Sequence, residues 1–281
     1  MPAYAPDPLD FQPPPLASLK RILAAQQAWF APQFFGLENI DASRPALYVG
    51  NHTIMGGLDA PLMLAGLYEH TGVYLRALAD RAHFMVPGWR SQLTKFGTVL
   101  GSRENCAALM QSGANILVFP GGGREVMKNK GESYQLIWKA RTGFAAMAME
   151  HGYDIATFAA VGADDAYDIH YDANDFRASR LGRLLQRSGI MGKYLRNGDV
   201  FNPLITGIPG TLIPRPEKLY FRFGPRISTQ EYQQRHADKE AQWEVRRKVE
   251  EQVYADMDAL FTIRAADQDW APWRRRLTRR A

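Results

Sequence analysis

One cysteine in 281 residues, Cys106, excludes an intramolecular disulfide and any cysteine-based zinc site, and it fits a reducing compartment. No stretch approaches the ~18 consecutive apolar residues of a membrane span. Leu16 to Phe35 comes nearest and is interrupted by Lys20, Arg21, Gln26 and Gln27. The start lacks a basic segment followed by an apolar one, so no signal peptide is expected and the chain is not read as secreted. Gly-x-Ser-x-Gly, the turn that exposes a nucleophilic serine, is absent as well. His70, His83, His151, His170 and His236 show no metal-ligand spacing. Asp164, Asp165, Asp168, Asp172 and Asp175 lack the glycine and final Glu of a calcium loop, so they read as a solvated acidic loop and no metal is expected.

The net charge is +5, and the excess sits at the end, where Arg274, Arg275, Arg276, Arg279 and Arg280 follow Trp270 and Trp273. Indoles settle at lipid headgroup level, and each basic residue near an anionic surface contributes about 1 kcal/mol. A peripheral contact with a membrane, on its cytoplasmic face, is therefore expected. No helix-turn-helix or RNP-like pattern accompanies the tail, so no nucleic-acid partner is expected.

Residues 1–15 hold six prolines and read as an extended arm. Leu16 to Phe35, within a leading segment taken as 16–40, has Leu19, Ile22, Leu23, Trp29 and Phe30 near helical spacing and predicts an amphipathic helix. Strands are expected at Ala46–Gly50, Val73–Ala79, Thr98–Leu100, Ile116–Phe119, Ile155–Ala160 and Lys218–Phe223. Helices are expected after Asp59, Arg103 and Tyr134. Arg177 to Asn202 reads as an exposed basic helical insertion, or else as a helical pair near a membrane or a lid over an acyl groove, and Phe201 to Pro216 as a loop. Ser228-Thr229-Gln230-Glu231 has the form of a capping box, and a long helix runs from near Asp238 to about Ala265. The alternation predicts an α/β fold, a single domain over about 41–230 with a largely parallel mixed sheet flanked by helices. A C-terminal helix and basic tail fill 231–281. Ligands of such sheets sit beyond the carboxyl ends of the strands.

Two segments fall there. Asn51-His52-Thr53-Ile54-Met55-Gly56-Gly57-Leu58-Asp59 leaves the first strand, and Phe119-Pro120-Gly121-Gly122-Gly123-Arg124-Glu125 follows a later one. A carboxylate that fixes an imidazole tautomer makes a general base, and a glycine-rich turn exposes backbone N–H groups to an oxyanion or phosphate. Together they point to acyl or phosphoryl chemistry on a hydroxyl.

The order of these blocks resembles the glycerolipid acyltransferase superfamily that contains the 1-acylglycerol-3-phosphate acyltransferases. Its first block is matched by Asn51, His52 and Asp59, and its second by Gly97 to Arg103. Its third, usually Phe-Pro-Glu-Gly-Thr-Arg, is matched by Phe119 to Arg124, and a fourth by Ala156 to Gly162. Lys130-Gly131-Glu132-Ser133-Tyr134, Val161 to Asp165 and Lys218 to Gly224 look most like the diacylglycerol-acyltransferase-like branch that includes the phytyl ester synthases. The resemblance implies acyl transfer from a thioester, acyl-CoA or acyl carrier protein, to the hydroxyl of a glycerolipid or lipid alcohol. His52 and Asp59 would be catalytic, and Asn51, Arg103, Gly121, Gly122, Gly123, Arg124 and Glu125 would meet phosphate or oxyanion. No cofactor is implied beyond the co-substrate.

Two departures stand out. Six residues separate His52 from Asp59 where the family has four, and Gly121 replaces the usual glutamate, the nearest carboxylate being Glu125. The second departure favours a neutral hydroxyl acceptor over lysophosphatidate, with Arg124 engaged by Glu125 or Glu132. Lys128 and Lys130 read as a solvated basic loop. A thioesterase would use the same pair on water, and a membrane-binding scaffold would leave it unused.

Overall fold

The computed structural model describes residues 9–85, 88–188 and 201–278. Nine strands and eleven α-helices are described: β1 (Gln33–Phe35), β2 (Ala46–Gly50), β3 (Arg76–Ala79), β4 (Val99–Leu100), β5 (Ile116–Val118), β6 (Asp154–Val161), β7 (Asp168–Tyr171), β8 (Leu204–Thr206) and β9 (Tyr220–Ile227). The helices are α1 (Leu16–Phe30), α2 (Ala60–Thr71), α3 (Arg81–Phe84), α4 (Trp89–Lys95), α5 (Arg103–Gln111), α6 (Gly122–Val126), α7 (Gly143–His151), α8 (Ala173–Ala178), α9 (Arg180–Arg187), α10 (Lys239–Ala266) and α11 (Pro272–Leu277).

Seven strands form one sheet in the order β1-β9-β6-β2-β5-β3-β4. Strands β4, β3, β5, β2 and β6 run parallel, whereas β9 is antiparallel to β6 and carries β1 parallel to itself. β2 and β6 are buried at every position. Such strands are near-continuous apolar runs because helices cover both faces. The pleat sends Leu47, Val49, Ile155 and Ala159 into one core with Leu109, Met147, Val249 and Val253 from α5, α7 and α10. It sends Tyr48, Ala156 and Phe158 into the other, with Leu62, Met63 and Leu67 of α2 and Phe30 of α1. Full burial of one such side chain contributes about 1.5–3 kcal/mol.

The expected mixed, largely parallel sheet flanked by helices is observed, and several boundaries move. The helix read over Leu16 to Phe35 ends at Phe30, where Ala31 turns left-handed before Pro32. Gln33–Phe35 instead pairs with β9, and Phe34 stacks on Phe221 at 5.2 Å, so the sheet begins before residue 41. No helix follows Tyr134 directly; α7 begins at Gly143, since Tyr134 is held by Asp164 and Asp165 through its N–H and its hydroxyl. Within the loop read over Phe201 to Pro216, β8 pairs with β7. The capping box at Ser228 does not form: Ser228 Oγ accepts from Gln230 N–H, a 3-10 turn begins at Gln230, and Thr229 donates its hydroxyl to the carbonyls of Ala148 and Tyr153. In the arm, Phe11 packs under the Arg76 guanidinium at 4.3 Å; residues 1–8 lie outside the described residues.

The C-terminal segment is not a free tail. Trp270 and Arg274 are buried. Arg274 donates to the carbonyls of Ala28, Trp29 and Pro216, and Trp273 packs on Trp29 at 5.8 Å, which straps α11 onto α1. Arg279 and Arg280 lie outside the described residues, as does the 189–200 part of the expected basic segment. Among the described residues no helix is long and apolar enough to cross a membrane.

Candidate active site

β2 and β5 are neighbours, so the segments leaving their carboxyl ends meet. The His52 ring lies flat on Phe119, with centroids 3.7 Å apart and planes within 7°. His52 Nδ1 is 3.3 Å from Asp59 Oδ2, and the imidazole side chain keeps 15% exposure. The two extra residues of the first block are taken up in a turn. Met55 and Gly56 have positive φ, Gly56 N–H bonds to Thr53 O, and Met55 N–H bonds to Val126 O at 3.0 Å. A Cβ on Gly56 would lie 2.8 Å from His52 Nε2, so only glycine leaves that nitrogen its room. Gln26 of α1 braces the turn through Gly57 O at 2.9 Å.

Asp59 is the N-cap of α2. Its Oδ1 accepts from Ala60 N–H at 2.7 Å, and its Oδ2 accepts from Thr53 N–H at 3.0 Å. Burial acts to raise its pKa, but the His52 ring and these donors outweigh burial and hold the carboxyl below its ordinary value. A charged carboxylate on Nδ1 leaves Nε2 as the proton acceptor.

The other residues expected at the site divide. Asn51 is fully buried and spends both amide atoms on the backbone of Ala160 in β6, accepting at 2.8 Å and donating at 2.9 Å. It sutures two strand ends and does not face a ligand. Arg103 is exposed and paired with Glu150 of α7 at 2.6 Å. Arg124 is engaged by Glu132 and also donates to Met127 O at 3.1 Å. Of the three glycines, Gly122 N–H is taken by Phe119 O at 3.0 Å, and Gly121 lies against Glu125. Gly123 has nothing within 4 Å of where a Cβ would stand, so its face is open. Glu125 itself is fully buried and does not reach that opening; burial pushes its carboxyl up to about 8, opposed chiefly by Lys128.

The sequence predicts solvated loops for Lys128 and the aspartates; Lys128, Asp164 and Asp172 are buried instead, whereas Asp175 stays at the surface. Lys128 is buried against Asp164 at 3.0 Å. Asp164 also accepts from Ile54 N–H and Tyr134 N–H, each at 2.7 Å, so it holds the His52 loop from below. Asp165 accepts from Tyr134 Oη and Arg264, Asp168 pairs with Arg215, Asp172 caps α8, and Asp175 pairs with Lys130. A buried polar group needs such partners, and these came from distant parts of the chain. Neither Phe119 as a stacking platform nor Arg141, which braces Pro120 O and Gly121 O at 2.7 Å each, carries a motif signal in the sequence. Among the described residues no group of three or more His, Cys, Asp or Glu side chains is arranged to hold a metal ion.

Residues 32–161, which span β1 to β6 and both turns, match the model of the Acyltransferase family. This segment is an acyltransferase domain. The domain-bearing chain is 32% identical over 253 residues to phytyl ester synthase 2, chloroplastic, of Arabidopsis thaliana, which covers 86% of this chain and 35% of that protein. It is 33% identical over 122 residues to the "DGAT1/2-independent enzyme synthesizing storage lipids" of Bos taurus, covering 43% of this chain and 36% of that protein. The chain thus spans about a third of the length of these curated relatives. Among solved structures, the 1-acyl-sn-glycerophosphate (LPA) acyltransferase PlsC from Thermotoga maritima aligns over 84% of this chain and 78% of its own, at 16% identity and a TM-score of 0.45.

Proposed function

We propose that this acyltransferase domain transfers a fatty acyl group from a thioester, acyl-CoA or acyl carrier protein, to the hydroxyl of a neutral lipid. The observation that carries the reading is the buried Asp59 carboxylate 3.3 Å from His52 Nδ1, with Gly56 leaving space at Nε2. His52 Nε2 takes the acceptor's proton as its oxygen attacks the thioester carbonyl. Asp59 stabilises the imidazolium, the tetrahedral intermediate collapses, and the leaving thiolate takes the proton back from His52. No enzyme nucleophile is required, because the thioester is already activated. General-base help contributes about 10²–10⁴-fold. The open Gly123 backbone is where the carbonyl oxygen or a headgroup approaches.

The neutral acceptor follows from Arg124. Its guanidinium is bound to Glu132, and Glu132 is further held by Asn129 N–H at 2.7 Å, so the arginine is already neutralised before any phosphomonoester arrives. The lipid arrives from a membrane surface. In α9, Gly182 is pressed against Phe176 O, and Leu181 and Leu184 stand exposed among Arg180, Arg183 and Arg187, the mix that an anionic interface favours. The test is product analysis with labelled acyl thioesters and equal concentrations of diacylglycerol, a long-chain alcohol and lysophosphatidate. Ester formed on the neutral acceptors supports the reading. Free fatty acid alone refutes it in favour of a thioesterase, and exclusive use of lysophosphatidate refutes the acceptor class.

A further inference from the structure

The acyl-transfer scheme makes no use of Glu125, although its carboxylate is buried directly behind the site. A Cβ placed on Gly121 would stand 2.6 Å from Glu125 Cβ and 2.7 Å from Glu125 Cδ, and would overlap the carboxylate itself. Positions 121 and 125 therefore share one volume. The usual third block has a glutamate at the position of Gly121; here the Glu125 side chain, one helical turn later, occupies the space into which a side chain at 121 would start. Neither of its oxygens reaches hydrogen-bonding geometry with a partner, and the same holds for the buried Trp138 indole N–H.

The groups that face it come from four separate segments. His52 presents its backbone N–H from the loop after β2, and Trp138 its indole from the segment before α7. Lys128 presents its ammonium from the stretch after α6, and Asp164, beyond the end of β6, is ion-paired with that lysine. Asp164 in turn holds Ile54 N–H at 2.7 Å. The ends of β5, β2 and β6 are thereby gathered around a carboxylate, an ammonium and a second carboxylate.

We propose that Glu125 is a positioning residue for His52: it occupies the volume that Gly121 leaves free and, with Lys128 and Asp164, fixes the His52 loop against the Gly121–Gly123 turn. The proposal rests on the acyl-transfer reading of the site. Its electrostatics have a definite sign. Burial pushes the Glu125 carboxyl up from 4.5 to about 8, so near neutral pH it is mostly a neutral acid and Lys128 balances Asp164 alone. Because the folded value is the higher one, the stability contributed is complete below about 4.5 and is lost as pH rises through about 8. Above that, two carboxylates share one ammonium and the loop loosens.

The experiment combines acyl-transfer kinetics between pH 6 and 10 with thermal midpoints, on the intact chain and four variants. Glu125→Ala is expected to lower kcat roughly 10- to 100-fold, with KM within about twofold, because His52 shifts while the binding surface stays. Glu125→Gln, a mimic of the neutral acid, keeps kcat near pH 7 and removes the fall above pH 8. Gly121→Ala lowers the midpoint, and Gly121→Ala/Glu125→Ala recovers much of that loss, since the overlap is gone. Wild-type kcat and an unchanged pH profile in Glu125→Ala would overturn the proposal, as would midpoint changes at 121 and 125 that simply add. An intact chain that transfers acyl groups to no hydroxyl refutes the acyl-transfer reading instead, and the midpoint cycle then decides the shared volume by itself.

Discussion

Asp59 and Glu125 are both carboxylates withdrawn from water beside His52, yet their surroundings push them in opposite directions. Asp59 receives N–H groups from Thr53 and Ala60 and faces the imidazole, so its carboxyl lies below the ordinary value despite burial. Glu125 is faced by the His52 N–H, the Trp138 indole and Lys128, but none of them meets its oxygens in good hydrogen-bond geometry, and burial raises it to about 8. Burial alone does not decide the protonation state; the donors that accompany burial do. When environments drive two neighbouring carboxyls apart in this way, one is set up as a permanent anion and the other as a neutral acid. The lengthened first block folds its extra residues into the Met55–Gly56 turn, and the altered third block moves its carboxylate into the space over Gly121.

The comparison can be broken at the anionic side first. Asp59→Asn retains the shape but removes the charge that stabilises the imidazolium and sets the tautomer, so acyl transfer should fall about 10²–10⁴-fold. Steady-state kinetics with a saturating acceptor check this, and a loss below threefold would mean that Asp59 serves only as the α2 cap. On the other side, Lys128→Met leaves Asp164 as a buried charge without its ammonium and should cost about 3–5 kcal/mol in chemical denaturation. Away from both carboxylates, Arg274→Ala exposes the lack of a donor for three carbonyls and should cost about 1–3 kcal/mol, with kcat unchanged. A kcat change in Arg274→Ala would show that the α11 strap reaches the site.

Much of the sheet is legible in the sequence because β2, β5 and β6 are buried on both faces and therefore read as apolar runs. His52 and Asp59 stand out because their roles demand particular residue types near a strand end. What could not be read shares a physical cause: it depends on partners far along the chain. Asp164 looks like one of five loop aspartates until Ile54 N–H, 110 residues away, is brought to it. Asn51 reads as a ligand-facing amide until Ala160 takes both its polar atoms. Arg274 reads as one of a membrane-facing basic cluster until α1 supplies its carbonyls. Pro32 marks the end of α1 in the sequence, although the aromatic spacing of Trp29, Phe30, Phe34 and Phe35 carries the helical pattern past it.

The central claim is that His52 is the base of an acyl transfer to a hydroxyl. The most direct measurement is ester formation by His52→Ala, with a labelled acyl thioester and a long-chain alcohol or diacylglycerol, alongside its thermal midpoint. His52 stacks on Phe119, and without its ring the buried Asp59 carboxylate still accepts from Thr53 N–H and Ala60 N–H, so the variant should stay folded. The account predicts a midpoint within a few degrees of wild type and ester formation reduced by about 10² or more. A folded His52→Ala protein that still forms ester at near wild-type rate would contradict it.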